Sequence, residues 1–173
     1  MKKIIILIAL FANGYLANAQ EKSFDNILDF GLPKEIEKSD KQKMQSFMQN
    51  RKNSQIDYKT NKGNIYKIYN IVIKVNAGCS KVAANFLEES KNFSDELAPQ
   101  ITTQKNYSSK IISNNNSRSL LIHYDSIDFS YYSIQSVNLD NNKTAIARIE
   151  YKKEDELKAS KIVDHILKNM RFK

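Results

Sequence analysis

Residues Ser119 to Met170 read SLLIHYDSIDFSYYSIQSVNLDNNKTAIARIEYKKEDELKASKIVDHILKNM. Apolar and polar residues alternate in three runs, which predict three β-strands at Leu120–Tyr124, Ser126–Leu139 and Thr144–Tyr151. The polar run from Asp140 to Lys143 predicts a turn between the last two strands. From about Glu154 to Met170 the apolar residues recur at helical spacing, which predicts an amphipathic helix lying back across the sheet.

The last strand and the last helix carry apolar faces that fit each other. One side of the strand holds Ala145, Ala147, Ile149 and Tyr151. One stripe of the helix holds Ala159, Ile162, Val163, Ile166, Leu167 and Met170. We predict that the two sets are buried together, because small alanines let a helix approach a sheet closely.

Upstream residues predict a hairpin and a second helix. The run from Asn64 to Val75 is rich in β-branched and aromatic residues on both faces, which is typical of an interior strand. Gln55–Thr60 precedes it across a turn at Asn61–Asn64, so we predict that the two pair. Farther along, a helix is predicted from Ser80 to Ala98, where Pro99 ends it, followed by a short strand at Lys110–Ser113.

The N-terminal residues have the three parts of a secretory signal peptide. Lys2 and Lys3 precede an apolar run that is too short to span a bilayer, and Ala17-Asn18-Ala19 is a small-x-small cleavage site. We expect residues 1–19 to be removed, residues 20–38 to form a loosely held lead-in, and residues 39–173 to form one α+β domain. Cys79 lies too far from this cleavage site for a lipid anchor, and later residues predict no transmembrane segment. A soluble protein of the bacterial periplasm or exterior is therefore expected.

The positive charge of the chain is spread out rather than concentrated. The formal net charge is +8, and most of the cations are lysines. Sites for nucleic acid usually show arginine clusters or basic stripes with stacking aromatic residues. The chain shows neither pattern, so we expect no nucleic-acid partner and attribute the basic character to a solvated surface and to the codon bias of a low-GC bacterium.

Few residues offer catalytic or metal-binding chemistry. The chain has one cysteine, Cys79, and two histidines, His123 and His165. A zinc site from these residues would need help from carboxylates, and the scattered glycines form no phosphate-binding loop. We therefore expect no metal, no cofactor and no catalytic residue, and interpret Cys79 as buried and inert. The open alternative is a small thiol enzyme or hydrolase in which His123 activates Cys79.

Two places are candidates for contact with a ligand or a partner. Ser39-Asp40-Lys41-Gln42 matches a capping box, and the helix that it opens carries Met44 and Phe47 on one face. In the long strand, Tyr131 and Tyr132 stand beside hydroxyl and amide side chains that could line a small pocket. The apolar parity changes near Ser133, so either the strand has two useful faces or a bulge exchanges them. For both places, packing in the core is the competing interpretation.

The order of elements resembles the PsbP-like family, whose members have a central antiparallel sheet covered by helices. The residues that carry the resemblance are the hairpin around Asn61-Lys62-Gly63, the helix from Ser80, and the run from Ser133 to Lys173. The resemblance implies an antiparallel sheet, made of a hairpin and a meander, with the C-terminal amphipathic helix packed on it. It also implies an accessory or binding protein without catalytic residues.

Two functional hypotheses follow from these residues. The first is an exported, non-catalytic binding or accessory protein of the cell envelope, with a partner protein or a small ligand. The second is the thiol enzyme that uses Cys79 and His123. A secreted antibacterial toxin or its immunity partner is a third alternative without a positive feature in the sequence.

Overall fold

The computed structural model describes residues 24–39, 41–49, 51–57 and 63–173. The helices are α1 (Phe24–Ile27), α2 (Lys41–Gln49), α3 (Phe86–Leu97) and α4 (Glu156–Asn169). The strands are β1 (Leu28–Asp29), β2 (Glu37–Lys38), β3 (Asn64–Ile68), β4 (Ile71–Gly78), β5 (Lys105–Ser113), β6 (Ser117–Asp125), β7 (Ser130–Asn138), β8 (Thr144–Tyr151) and β9 (Arg171–Phe172). The expected signal peptide, Asp40 of the capping box, and residues 58–62 of the expected hairpin lie outside the described residues.

Seven strands form one antiparallel sheet in the order β2-β3-β4-β8-β7-β6-β5. The four strands from β5 to β8 are a meander, and β4 joins it by pairing with β8. The chain is thus an α+β fold in which helices cover an antiparallel sheet, as the sequence predicts.

One face of the sheet, which we call the α4 face, holds the largest core. All the residues predicted to be buried on the last strand and the last helix are buried there. Their partners on the α4 face include Ile71, Ile73 and Val75 of β4 and Ile134 of β7. This confirms the predicted packing of the C-terminal helix on the sheet.

The opposite face, which we call the α3 face, is covered by two separate helices. Helix α3 packs Leu87 against Leu120 and Val137, while α2 packs Met44 and Met48 against Val72 of β4. Two helices that pack at different places leave the strands between them less completely covered. This division positions the cavity described below.

The hairpin was predicted from the wrong pair of segments. The run from Asn64 to Val75 is two strands, β3 and β4, which pair with each other through Ile68 and Ile71. The chain reverses at Tyr69 and Asn70, where Tyr69 has a φ of 49°. A β-prone aromatic residue in this left-handed conformation gives no turn signal in the sequence. Residues 51–57, the described part of the preceding segment, form no strand.

The long strand predicted from Ser126 to Leu139 is shorter in the structure. Residues 126–129 form a turn, closed by a hydrogen bond from the Ser126 N–H to the Phe129 carbonyl. Strand β7 keeps an unbroken register with both neighbours from Ser130 to Val137, so there is no bulge in this strand. Both faces of β7 pack against other parts of the protein, with Tyr131 on the α3 face and Tyr132 on the α4 face.

Helix α3 begins at Phe86, later than the predicted Ser80. The preceding segment is held in an extended course because the Val82 N–H donates to the carbonyl of Asn141 in the β7–β8 turn, at 2.8 Å. The predicted strand at Lys110 is the end of the longer β5.

The described part of the expected lead-in contributes to the core. Ile27, Leu28 and Phe30 are buried on the α4 face, and β1 pairs with β9 at the other end of the chain. Gly31 has a φ of 63°, and a Cβ there would lie 2.7 Å from the Asn169 backbone. Glycine is therefore required where this segment passes the end of α4.

Candidate functional site

A cavity of about 330 Å³ lies between helix α3 and the α3 face of β7 and β8. This volume falls within the usual range of small-molecule sites. Its lining consists of Val82, Phe86, Glu89, Ser90, Phe93, Ser94, Leu97, Ala98, Ile101, Gln104, Tyr107, Ile122, Tyr124, Ser133, Gln135, Ser136, Thr144, Ala145, Ile146 and Arg148.

The roof of the cavity is one apolar side of α3. Phe86, Phe93 and Leu97 recur at helical spacing and lie on the same side of the helix. They line the cavity, although Phe86 also packs partly buried against the cluster around Leu87, and Phe93 is 37% exposed. Leu87 alone is fully buried among the described residues of α3. The remaining large side chains form an apolar wall that the sheet does not fill.

The floor of the cavity is a row of mixed side chains on β7 and β8. Thr144, Ile146 and Arg148 alternate with buried residues of β8, so they lie together on the α3 face. Gln135 pairs with Ile146, and Ser133 pairs with Arg148. Polar groups thus run along the floor beneath an apolar roof.

The hydroxyl of Thr144 is a buried polar group without a partner among the described residues. The residue is 6% exposed, and within the described part of the chain its Oγ1 has no hydrogen-bond partner. A buried hydroxyl without a partner destabilises a fold unless something else satisfies it.

Replacing Thr144 by valine is expected to raise the free energy of unfolding by about 1 kcal/mol, because it removes an unsatisfied buried hydroxyl and keeps the branched shape. Urea unfolding followed by circular dichroism measures this change. Ser136→Ala is the control, since its hydroxyl is bonded to that of Ser119 at 2.7 Å and its loss should destabilise the fold. A destabilised Thr144→Val variant would show that the hydroxyl already has a partner in the protein.

Arg148 supplies positive charge at one end of the floor. Its Nη1 donates a long hydrogen bond of 3.4 Å to the Gln55 carbonyl, and among the described residues it forms no ion pair. Lys74 lies directly across from it on β4. Burial lowers the pKa of Lys74, the Asp57 carboxylate opposes this shift, and Arg148 adds to it. Arg148 lines the cavity, whereas the Lys74 Nζ donates to the Asp57 carbonyl.

Other polar groups in the wall are already engaged. Tyr107 donates to Asp95 at 2.8 Å, and Tyr124 donates to Gln55 at 2.7 Å. Burial raises the pKa of both phenols, and nearby carboxylates raise it further. They remain neutral donors at physiological pH, so they act as fixed parts of the wall.

The four residues predicted from the sequence to contact a ligand or partner do not line this cavity. Tyr131 is fully buried, and the Gln55 N–H donates to its hydroxyl at 3.2 Å. Tyr132 lies on the α4 face and donates to Glu156 at 2.7 Å. Met44 is a buried residue of α2, and Phe47 of the same helix packs partly buried against the same cluster. Their contact with a ligand or partner stays a prediction.

A buried ion pair fixes the segment that closes the α3 face. Arg51 Nε donates to Glu150 at 2.8 Å, and the two side chains are 6% and 0% exposed. Ser54 Oγ and the Gln55 N–H donate to the second carboxylate oxygen, at 2.6 and 3.1 Å. The Arg51 guanidinium also lies over the Phe129 ring, 4.2 Å from its centre. This network is structural and places Gln55 beside the cavity.

The sheet holds Cys79 and His123 apart. Cys79 follows Gly78, whose pairing with Thr144 places it at one end of β8. His123 is level with Tyr132 and Ile149 toward the other end. Strand rise and spacing put the two side chains roughly 20 Å apart. The predicted thiol–imidazole pair is therefore wrong, and Cys79, which packs partly buried against the core, has no base in His123.

His123 belongs to a hydrogen-bonded cluster with Glu156 and Asp125. Its Nε2 lies 2.9 Å from the Tyr151 hydroxyl, which donates to Glu156 at 2.7 Å. Asp125 accepts from Ser130 at 2.6 Å and from Asn106 at 2.7 Å. The His123, Asp125 and Glu156 ligand atoms lie within 4.8 Å of one another, close enough to be drawn around a metal ion. Hydrogen bonds to these carboxylates join β6, β8 and α4.

No local sequence pattern predicts the cavity. Phe86, Phe93 and Leu97 have the spacing of an ordinary core stripe, and only the position of α3 relative to β8 shows that they stay uncovered. Thr144, Ile146 and Arg148 alternate with buried residues, which predicts an outward face. The apolar Ile146, on the outward face between Thr144 and Arg148, is the sequence feature that is consistent with a cavity.

None of the described helices is of a length and apolarity that would let it cross a bilayer. No protein-family model matches the chain, and no curated protein matches it. The fold resembles the solution structure of cyanobacterial PsbP (CyanoP) from Synechocystis sp. PCC 6803, with a TM-score of 0.49 and 7% sequence identity, over 91% of this chain and 99% of that one. This likeness concerns the fold alone.

Proposed function

We propose that this chain is a non-catalytic binding protein that holds a small apolar molecule between α3 and the sheet. The observation that carries the proposal is the cavity of about 330 Å³ roofed by Phe86, Phe93 and Leu97. Apolar side chains that a fold leaves uncovered are costly in water, and a ligand that covers them gains roughly 25 cal/mol for each Å² of apolar surface removed from water.

The walls support binding rather than turnover. The Tyr107 and Tyr124 hydroxyls are committed to Asp95 and Gln55, and burial keeps both protonated. The cysteine lies outside the cavity lining, and the sheet separates it from His123. We further propose that the protein acts in the bacterial cell envelope or outside the cell, on the basis of the signal-peptide pattern in residues 1–19.

Filling the cavity is expected to abolish binding. In Gln135→Trp an indole occupies the middle of the floor and leaves the ligand no room, since a filled space does not accept further atoms without strain. The probe is phenylnaphthylamine, a neutral molecule whose fluorescence rises in apolar surroundings. The wild-type chain should bind it saturably at one site, and the variant should not.

Lys110→Trp is the matched control, because it places the same side chain on an exposed position of β5. Circular dichroism checks that both variants stay folded. If the folded Gln135→Trp variant bound the probe as tightly as Lys110→Trp, the cavity would not be the binding site.

A further inference from the structure

The cavity has two different ends. Arg148 makes one end positive. Thr144 lies at the other end of the floor, and Glu89, an acidic residue in the first turn of α3, also lines the cavity. A ligand with a single charged group would therefore enter in one orientation.

Arg148 has no ion-pair partner among the described residues. Arg148 has five N–H donors but one long hydrogen bond to protein, at 3.4 Å. Like charges directly opposite each other on paired strands destabilise a sheet, and Lys74 is directly opposite. Asp57 offsets part of this charge at Lys74. Glu150, the next residue on the same side of β8, is already occupied by Arg51 and Ser54.

The other end of the floor carries no charge. Thr144 lines the cavity there, but its Oγ1 is buried out of reach of a ligand. Thr144 and Arg148 share one face of β8, so strand rise places their Cα atoms about 13 Å apart. Ile146 lies between them, beneath the apolar roof.

We propose that the ligand is an elongated anionic amphiphile, whose oxyacid group pairs with Arg148 and whose apolar body lies along Ile146 under Phe86 and Phe93. This inference rests on the proposed function and adds the ligand's charge, length and orientation. A guanidinium suits such a group because it can donate two parallel hydrogen bonds to one oxyacid.

Two probes with the same aromatic body test the inference. Phenylnaphthylamine is neutral, and anilinonaphthalene sulfonate carries one additional sulfonate. The wild-type chain should bind the sulfonate roughly tenfold more tightly than the neutral probe, because a charge-assisted hydrogen bond strengthens the complex. Arg148→Met should remove this preference, measured as the ratio of the two affinities in the same variant. Lys168→Met, at an exposed position on α4, should keep it.

The outcomes separate the two proposals. Equal affinity of the wild-type chain for both probes, or a preference that survives in folded Arg148→Met, would overturn the anionic ligand while the binding function stood. Loss of the preference in Lys168→Met as well would show that it comes from net charge, which also overturns the inference. Failure of both probes to bind in the cavity would overturn the binding function itself.

Discussion

Replacing Glu150 by alanine is expected to lower the free energy of unfolding by about 3–5 kcal/mol, because it leaves a buried cation without its partner. The Glu150 side chain is 0% exposed and its partner Arg51 is 6% exposed. The Arg51 Nη2 is already buried without a hydrogen-bond partner in the described part of the structure. Removing the carboxylate also frees Ser54 and the Gln55 N–H, which anchor the segment beside the cavity.

Urea unfolding followed by circular dichroism measures this loss. Glu154→Ala is the control, since Glu154 is exposed and its removal should change stability by less than about 0.5 kcal/mol. The double variant Arg51→Met/Glu150→Leu should recover much of the loss, because hydrophobic replacements remove the stranded charge. A loss below about 1 kcal/mol in Glu150→Ala alone would contradict the buried ion pair.

Deleting residues 162–173 is expected to unfold the domain. The deletion removes five buried residues of the α4 face, which are Ile162, Val163, Ile166, Leu167 and Met170, and it removes β9. The uncovered sheet face would then expose the largest core of the protein. Near-ultraviolet circular dichroism and the dispersion of amide NMR signals should show the loss of tertiary packing.

Single substitutions on α4 test the same packing through smaller losses in the free energy of unfolding. Ile166→Ala should cost about 2–5 kcal/mol, since the side chain is fully buried and its truncation leaves a cavity. Leu157→Ala is the control on the same helix, because Leu157 is 69% exposed and should change little. A truncated chain with a dispersed spectrum and cooperative unfolding would contradict the role of α4.

The C-terminal half of the fold could be predicted because its residues follow the period of the structure they form. Every residue predicted to be buried on β8 and α4 is buried, since alternation and helical spacing translate directly into faces. The position of Tyr69 could not be predicted in the same way. Its positive φ reflects the pairing of β3 with β4, which overrides the strand preference of a tyrosine.

The candidate site was harder to predict than the fold because it forms where the side chains of α3 and the sheet do not pack fully against each other. The spacing of Phe86, Phe93 and Leu97 describes one face of a helix but does not show how much of that face the sheet covers. Similarly, Arg51 and Glu150 are far apart in sequence, and no local pattern predicts that they meet. Tertiary packing decides both features.

Binding in the cavity can be located by following the amide NMR signals of the chain during titration with phenylnaphthylamine. Saturable shifts are expected in α3 and in Ser133–Ser136 and Thr144–Arg148, while the signals of α4 stay in place. Shifts centred on Met44, Phe47 or Tyr132, or shifts that do not saturate, would contradict a binding site between α3 and the sheet.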